Sequence, residues 1–222
     1  GVEWHRAACD ARRWRERLED EMHARRAHLE DIIASHFVDG DDDLDVLLAT
    51  LMATAPDAYA HAYRVAALSA AVGRTLGLSP PDVVTLERAA LMHDLGKLAM
   101  PEAVLRKPAP LTLEEQRLIR LHPRIGSELI AHVPYLARAA VVVRDVHERI
   151  DGLGYPDGRR GDEVCPSARI VAVADAYDTM TRARVFRDAI APAAAVAELE
   201  RCSGTQFDPR VVSAFLAIVD RQ

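Results

Sequence analysis

Apolar residues recur along most of the chain at intervals of three and four, the spacing that lines one side of an α-helix. From Trp4 to His36 neither Pro nor Gly intervenes, and Trp14, Leu18, Met22, Leu29, Ile32 and Ile33 make an uneven apolar stripe among Arg and Glu. This predicts one long helix. Such a helix either pairs with a second copy and connects an upstream input domain to the domain after it, or packs on its own domain. Pairing is the expectation. Asp39, Gly40 and Asp41 to Asp43 then interrupt the pattern with an acidic run suited to starting the next helix. Beyond it, helices are predicted over about 44–54, 57–76, 81–93, 112–132, 135–148, 167–181, 192–202 and 209–219. Ser79 before Pro80 and Pro81, and Thr112 three residues ahead of Glu115, are helix-entry signals. Residues 149–166, rich in Gly and Asp, read as one long irregular segment, and loops of that length in a compact domain are usually functional or disordered. The chain thus divides into an amino-terminal signalling or linker helix, 1–38, and a helical domain, 39–222.

Composition sharpens the fold class. Half of the 222 residues are hydrophobic but only 5% are aromatic, so helix formers outnumber strand formers and an all-α fold is expected. A net charge of −6 argues against a nucleic-acid polymer as partner, which needs a positive surface. Cys9, Cys165 and Cys202 have neither disulfide-framework nor zinc-ligand spacing. No apolar run approaches the roughly 20 residues of a membrane span, and no signal peptide marks the start, so a cytoplasmic domain without direct membrane insertion is expected. Because the sequence opens on Gly1, an upstream sensor or receiver domain in a longer parent is part of that expectation.

The chemistry lies in polar residues on faces that should be buried. His61 shares a helix face with Val65, Leu68 and Val72; His93 and Asp94 end a helix running through Leu86, Ala89 and Ala90; His122 aligns with Leu118, Ile125 and Leu129; His147 follows Val143, and Asp175 follows Val171, by one turn. A lone inward histidine is more often a hydrogen-bonded core residue than a ligand. Four of them with two inward aspartates on five helices are better explained by one shared cluster, since a buried carboxylate needs a partner or a metal. Imidazole and carboxylate donors without cysteine suit Fe, Mn, Ni or Zn. Asp94, with two oxygens, can bridge two ions about 3.5 to 4 Å apart, the arrangement used for in-line attack on phosphorus.

His93-Asp94-Leu95-Gly96-Lys97 resembles the HD superfamily of metal-dependent phosphohydrolases, and His147-Glu148 followed by Asp151-Gly152-Leu153-Gly154-Tyr155-Pro156 resembles the signature of its HD-GYP subfamily. The likeness continues through Lys107-Pro108, His122-Pro123, the run Ala168 to Asp175 and Gly204 to Pro209. It implies an HD-superfamily helical domain that hydrolyses cyclic di-GMP to linear pGpG, GMP or both, using divalent metal ions, two by expectation. The metal ligands it implies are His61, His93, Asp94, His122, His147 and Asp175. Asp57, one turn before His61, is either a third-ion ligand or a helix cap after Pro56. Asp94 and Lys97 would act in catalysis; Lys97, Arg184 and Arg187 would contact phosphate, and Tyr155 would line the site or fix its loop.

One position departs from the family, which has two consecutive histidines before Glu148 where this chain has Val146 and His147. Water can fill the lost position, Asp145 can turn in to replace it, or the second ion binds weakly or not at all. Three functions are open: a working phosphodiesterase, a weakened or inactive domain that regulates through nucleotide or protein binding, or an enzyme for another cyclic dinucleotide or phosphoester. A homodimer through the first helix completes the expectations.

Overall fold

The computed structural model describes residues 2–36, 48, 56–183 and 188–219. In chain order the helices are α1 (Val2–His36), α2 (Pro56–Thr75), α3 (Pro80–Met92), α4 (Glu102–Leu105), α5 (Leu113–Ile119), α6 (His122–Ile130), α7 (Ala137–Asp145), α8 (Pro166–Thr181), α9 (Pro192–Arg201) and α10 (Pro209–Val219). Short 3-10 turns lie at Leu95–Ala99, Pro134–Leu136 and Gly161–Glu163. Among the described residues there is no strand, only an isolated bridge between Ser203 and Phe207, so the fold is all-α as the composition implies. The helix expected over 44–54, apart from a fully buried Leu48, and the acidic run 39–43 lie outside the described residues.

The entry signals act as read. The Ser79 hydroxyl accepts from the Asp82 amide at the start of α3, and Thr112 and Glu115 form a reciprocal capping box on α5. The helix expected over 112–132 is instead two, broken at Arg120 and Leu121. Pro123 is the reason: it carries no N–H to donate back into α5, but serves well in the first turn of α6. The break puts His122 at the first position of a new helix. Likewise the segment predicted over 135–148 is helical only to Asp145, leaving Val146, His147 and Glu148 in a turn.

α2 packs against α3 and α8, α7 lies against α6 and α3, α9 and α10 pack on α8, and α10 also touches α2. Their buried faces join in one core that includes Val65, Leu86, Met92, Ile130, Val143, Val171 and Phe215. Leu18, Met22, Leu29 and Ile33 of α1 are buried, and the helix lies against the 95–99 turn and α6. Arg25 Nε donates to the Leu98 carbonyl at 3.2 Å, and Arg26 pairs with Glu128 at 2.8 Å. Within the chain, the carboxyl-terminal half of this helix is therefore packed on its own domain.

Gly96 and Gly126 let two of these segments meet. A Cβ at Gly96 would collide with the His122 carbonyl oxygen and the Gly126 amide, so only glycine allows the 95–99 turn to lie against the start of α6. That contact brings His93 and Asp94 alongside His122.

Candidate metal centre

His61 projects from α2, His93 and Asp94 stand where α3 gives way to the 3-10 turn, His122 opens α6, His147 follows α7, and Asp175 lies on α8. All six converge. Asp94 is central: Oδ2 lies 3.5 Å from His93 Nε2, while Oδ1 lies 3.4 Å from His122 Nε2 and 3.9 Å from His147 Nε2. Asp175 Oδ1 is 3.1 Å from His61 Nε2 and 3.9 Å from His93 Nε2. Two donor groups result, His61-His93-Asp94 and Asp94-His122-His147, each with its donor atoms within 4.8 Å of one another. They share the Asp94 carboxylate.

The hydrogen bonds on the far side of each ring set the chemistry on the near side. His93 Nδ1 donates to the Ala90 carbonyl and His122 Nδ1 to the Ile119 carbonyl, each at 2.7 Å and each three residues back along the chain. A carbonyl only accepts, so Nδ1 holds the proton and the Nε2 lone pair faces the centre. Nε2 of His61, His93, His122 and His147, together with Asp94 Oδ1, are buried with no hydrogen-bond partner. Five buried polar atoms left unsatisfied in one place would cost several kcal/mol at roughly 1 to 3 kcal/mol each. The arrangement fits divalent metal ions, which accept such lone pairs, and the lack of a sulfur donor matches Fe, Mn, Ni or Zn.

His61 is held differently. Its Nδ1 faces Asp178 Oδ2 at 2.7 Å, and Asp178, 5% exposed at its side chain, also receives Arg64 through two hydrogen bonds of 2.7 and 2.9 Å. Burial disfavours charge on His61, but Asp175 and Asp178 outweigh it and push the imidazole up to about 9 in the metal-free chain. Burial pulls His122 down to about 4. Burial would raise Asp94, yet Lys97 and His93 hold it well below the usual carboxylate range. Asp178 is driven down to about 2, its own burial overcome by His61 and Arg64. Sequence reasoning assigns neither Asp178 nor Arg64 a role at the site, although an acid three residues after Asp175 on a buried face is a usable signal.

Lys97 Nζ donates to Asp94 Oδ2 at 2.7 Å, beside the cluster. The segment 149–166 is firmly tied. Glu148 accepts the amides of Asp157, Gly158 and Arg159 at 2.6 to 3.0 Å, Arg144 grips Asp157 with two bonds of 2.6 and 2.9 Å, and the Tyr155 amide donates to the His147 carbonyl at 3.1 Å. The Tyr155 ring therefore stacks on His147, with centroids 5.1 Å apart and planes 20° from parallel. Burial and the nearby Asp94 carboxylate keep its phenol protonated, well above the ordinary tyrosine value. A pocket of about 330 Å³ opens here, with Arg120, Val146, His147, Tyr155, Asp175 and Gln206 among its walls.

Asp145 does not take the place of the lost histidine. Its carboxylate is buried on another side, accepting from the Cys165 amide at 2.9 Å and Arg159 at 3.2 Å, and neither donor group includes it. Val146 itself is buried and forms part of the pocket wall. Asp57 is exposed in the first turn of α2, which begins at Pro56, so it stands inside the helix rather than as its cap, and it belongs to neither donor group. Arg184 and Arg187 lie outside the described residues.

Comparison with known proteins gives the chain a family. A family model described as HD domain matches residues 45–211. The chain is 43% identical over 155 residues to the cyclic di-GMP phosphodiesterase response regulator RpfG of Xanthomonas campestris pv. campestris, covering 69% of this chain and 41% of that protein. It is 39% identical over 151 residues to a cyclic di-GMP phosphodiesterase of Vibrio cholerae, covering 65% of this chain and 31% of the other. It therefore spans less than half the length of these relatives. Among solved structures, that of a cyclic GMP-AMP specific phosphodiesterase of V. cholerae, V-cGAP3, superposes with a TM-score of 0.59 at 19% identity over 72% of this chain and 44% of the other, a likeness of fold.

Proposed function

The chain belongs to the HD domain family, in the HD-GYP branch marked by its Gly-Tyr-Pro loop, and from this we propose that it is a metal-dependent phosphodiesterase that opens cyclic di-GMP to pGpG and, with a second cleavage, to GMP. The observation that carries the reading is the Asp94 carboxylate, whose two oxygens face two sets of buried imidazole nitrogens lacking hydrogen-bond partners. His61, His93, Asp94 and Asp175 would hold one divalent ion; Asp94, His122 and His147, a two-histidine, one-carboxylate set, would hold the other with positions left open. Divalent ions held there would supply a water of lowered pKa and would offset charge on the phosphoryl oxygens. Asp94 keeps both groups in register. Lys97, one hydrogen bond from Asp94, adds positive charge where the phosphodiester must sit, and Arg184 and Arg187 are proposed as further phosphate contacts. Tyr155 braces His147 by stacking and lines the pocket beside it.

Val146 favours a second reading, in which the domain binds a cyclic dinucleotide without turnover and regulates a partner. Asp57 as a third-ion ligand, a homodimer through α1, an upstream sensor or receiver domain and a cytoplasmic setting complete the proposal. No helix among the described residues is long and apolar enough to cross a membrane.

The deciding experiment is hydrolysis of cyclic di-GMP by protein loaded anaerobically with Fe²⁺ or Mn²⁺, beside Asp94→Ala. Turnover lost in that variant supports the phosphodiesterase. Binding of cyclic di-GMP without turnover replaces it with the regulator.

A further inference from the structure

The pocket beside His147 has two arginines in its wall, and they differ in what they are doing. Arg149 is committed. Its guanidinium makes two hydrogen bonds to Asp151, at 2.6 and 3.0 Å, and a third to Gln206 Oε1 at 3.0 Å. Arg120, exposed at the end of α5, makes no ion pair or side-chain hydrogen bond among the described residues; its guanidinium carbon lies over the Tyr155 ring, 5.4 Å from the centroid. Tyr155 in turn stacks on His147, one of the histidines facing Asp94. A column of imidazole, phenol and guanidinium thus runs from the candidate metal centre to the pocket mouth. It ends in a fork of uncommitted N–H donors held over an aromatic ring, a placement that a cation–π contact favours.

At about 330 Å³ the pocket stands at the low end of the roughly 300 to 1,000 Å³ typical of small-ligand sites. A cyclic dinucleotide with one phosphodiester at the metal centre can place only part of itself inside. The pocket lining is more polar than apolar, with Val146, Ala172, Ala176 and Phe207 supplying only patches of apolar wall among Arg120, Tyr155 and Gln206, and a base, which has a flat apolar face and a hydrogen-bonding edge, matches that mixture. Of the bases, guanine presents two acceptors side by side, O6 and N7, to such a fork, whereas adenine offers N7 beside an N6 donor that repels it.

We propose that this pocket is a purine subsite in which Arg120 reads the O6/N7 edge of a guanine, making it a specificity-determining residue. The inference rests on the cyclic-dinucleotide reading of the site. Arg120 stands outside the metal ligands, and its selectivity can be measured by binding alone.

The test is equilibrium binding of phosphorothioate analogues of cyclic di-GMP and cyclic di-AMP to the metal-loaded chain, to Arg120→Ala and to Arg120→Gln, with hydrolysis of the parent diesters measured in parallel. Since Arg120 is exposed, both variants should fold, which circular dichroism checks. The parent should prefer the guanine ligand. Arg120→Ala should weaken it by roughly 10- to 100-fold, the value of one bidentate base contact, while leaving the adenine ligand within about twofold. Arg120→Gln, whose amide matches adenine N6 and N7, should move the preference toward cyclic di-AMP. Equal weakening of both ligands in Arg120→Ala would mean a phosphate contact and overturns the proposal, as does no change or a parent that does not discriminate. A parent that binds selectively without hydrolysing leaves the subsite standing and removes only the enzymatic reading.

Discussion

Asp178→Asn tests whether the first donor group is held from behind. Asp178 Oδ2 sits 2.7 Å from His61 Nδ1, and the same carboxylate takes both arms of Arg64, which lies one turn beyond His61 on α2. The aspartate thus orients His61 and makes its Nε2 a better donor, the role carboxylates play behind metal-bound histidines generally. Asparagine keeps the shape but removes the charge. Loss of such a partner typically lowers metal affinity about 10- to 100-fold, or about 1.4 to 2.7 kcal/mol. The cost to folding should be smaller: the Arg64 side chain is 36% exposed, and solvent screening reduces its ion pair to about 1 kcal/mol or less. Chelator competition with Zn²⁺ or Mn²⁺ on the metal-free protein reads the affinity, and urea unfolding without metal reads the stability. The expected result is one weakened equivalent of metal per chain with modestly reduced stability. Unchanged metal affinity with reduced stability would refute the reasoning and leave Asp178 as a tie between α2 and α8.

The same geometry makes three more outcomes testable. Gly96→Ala should cost about 3 kcal/mol, because its Cβ would meet backbone of α6 that cannot yield, while Gly77→Ala, in open space at φ +79°, should cost about 1 to 2 kcal/mol; equal losses in urea unfolding would rule the close contact out. Asp151 is held down to about 2 by Arg149, below its unfolded value near 3.9, so its contribution to stability is full above about pH 5 and is lost as pH falls through 2. The stability gap between the parent and Asp151→Asn should accordingly be constant from about pH 5 to 7 and shrink below about pH 4, and a gap independent of pH would discount the ion pair. Val146→His should tighten the second metal equivalent at least about tenfold by adding a donor beside Asp94-His122-His147; titration showing the same two affinities as the parent would mean that position 146 does not reach the ion.

Much of the site is legible in the sequence because burial is periodic and charge in a core is costly. His61, His93, Asp94, His122, His147 and Asp175 each lie on or at the end of an apolar stripe, and in the structure all six meet. Contacts made across large separations are not legible in that way. Asp178 reaches His61 over 117 residues, and Arg120, at the joint between α5 and α6, lies over the ring of Tyr155 on the loop beyond α7. Periodicity also continues straight through that joint, since the apolar stripe of α5 and α6 runs on while the backbone between them does not. For α1 the stripe is buried at Leu18, Met22, Leu29 and Ile33 but not at Trp14, which is 42% exposed, and its partner is ambiguous in sequence, because an apolar face does not say what will cover it.

The same distinction between direction and adjacency decides the fate of the missing ligand. From Asp145 to Glu148 four consecutive residues take four destinations: Asp145 goes to the Cys165 amide and Arg159, Val146 to the pocket wall, His147 toward Asp94, and Glu148 to three amides of the following loop. They diverge because α7 stops at Asp145 and the next three residues turn. In sequence, an acid one position away looks like a ready substitute for a lost histidine. In space it belongs to neither donor group and its Oδ2 is already committed, so turning it in would leave the Cys165 amide and Arg159 without their acceptor, a loss of about 1 to 3 kcal/mol. The direction left vacant at 146 can be filled only from 146 itself or by whatever enters the pocket. Restoring a histidine there would therefore both supply a donor and narrow the space proposed for the purine. If both readings hold, Val146→His should strengthen metal binding while weakening the guanine ligand, two effects of opposite sign from one side chain.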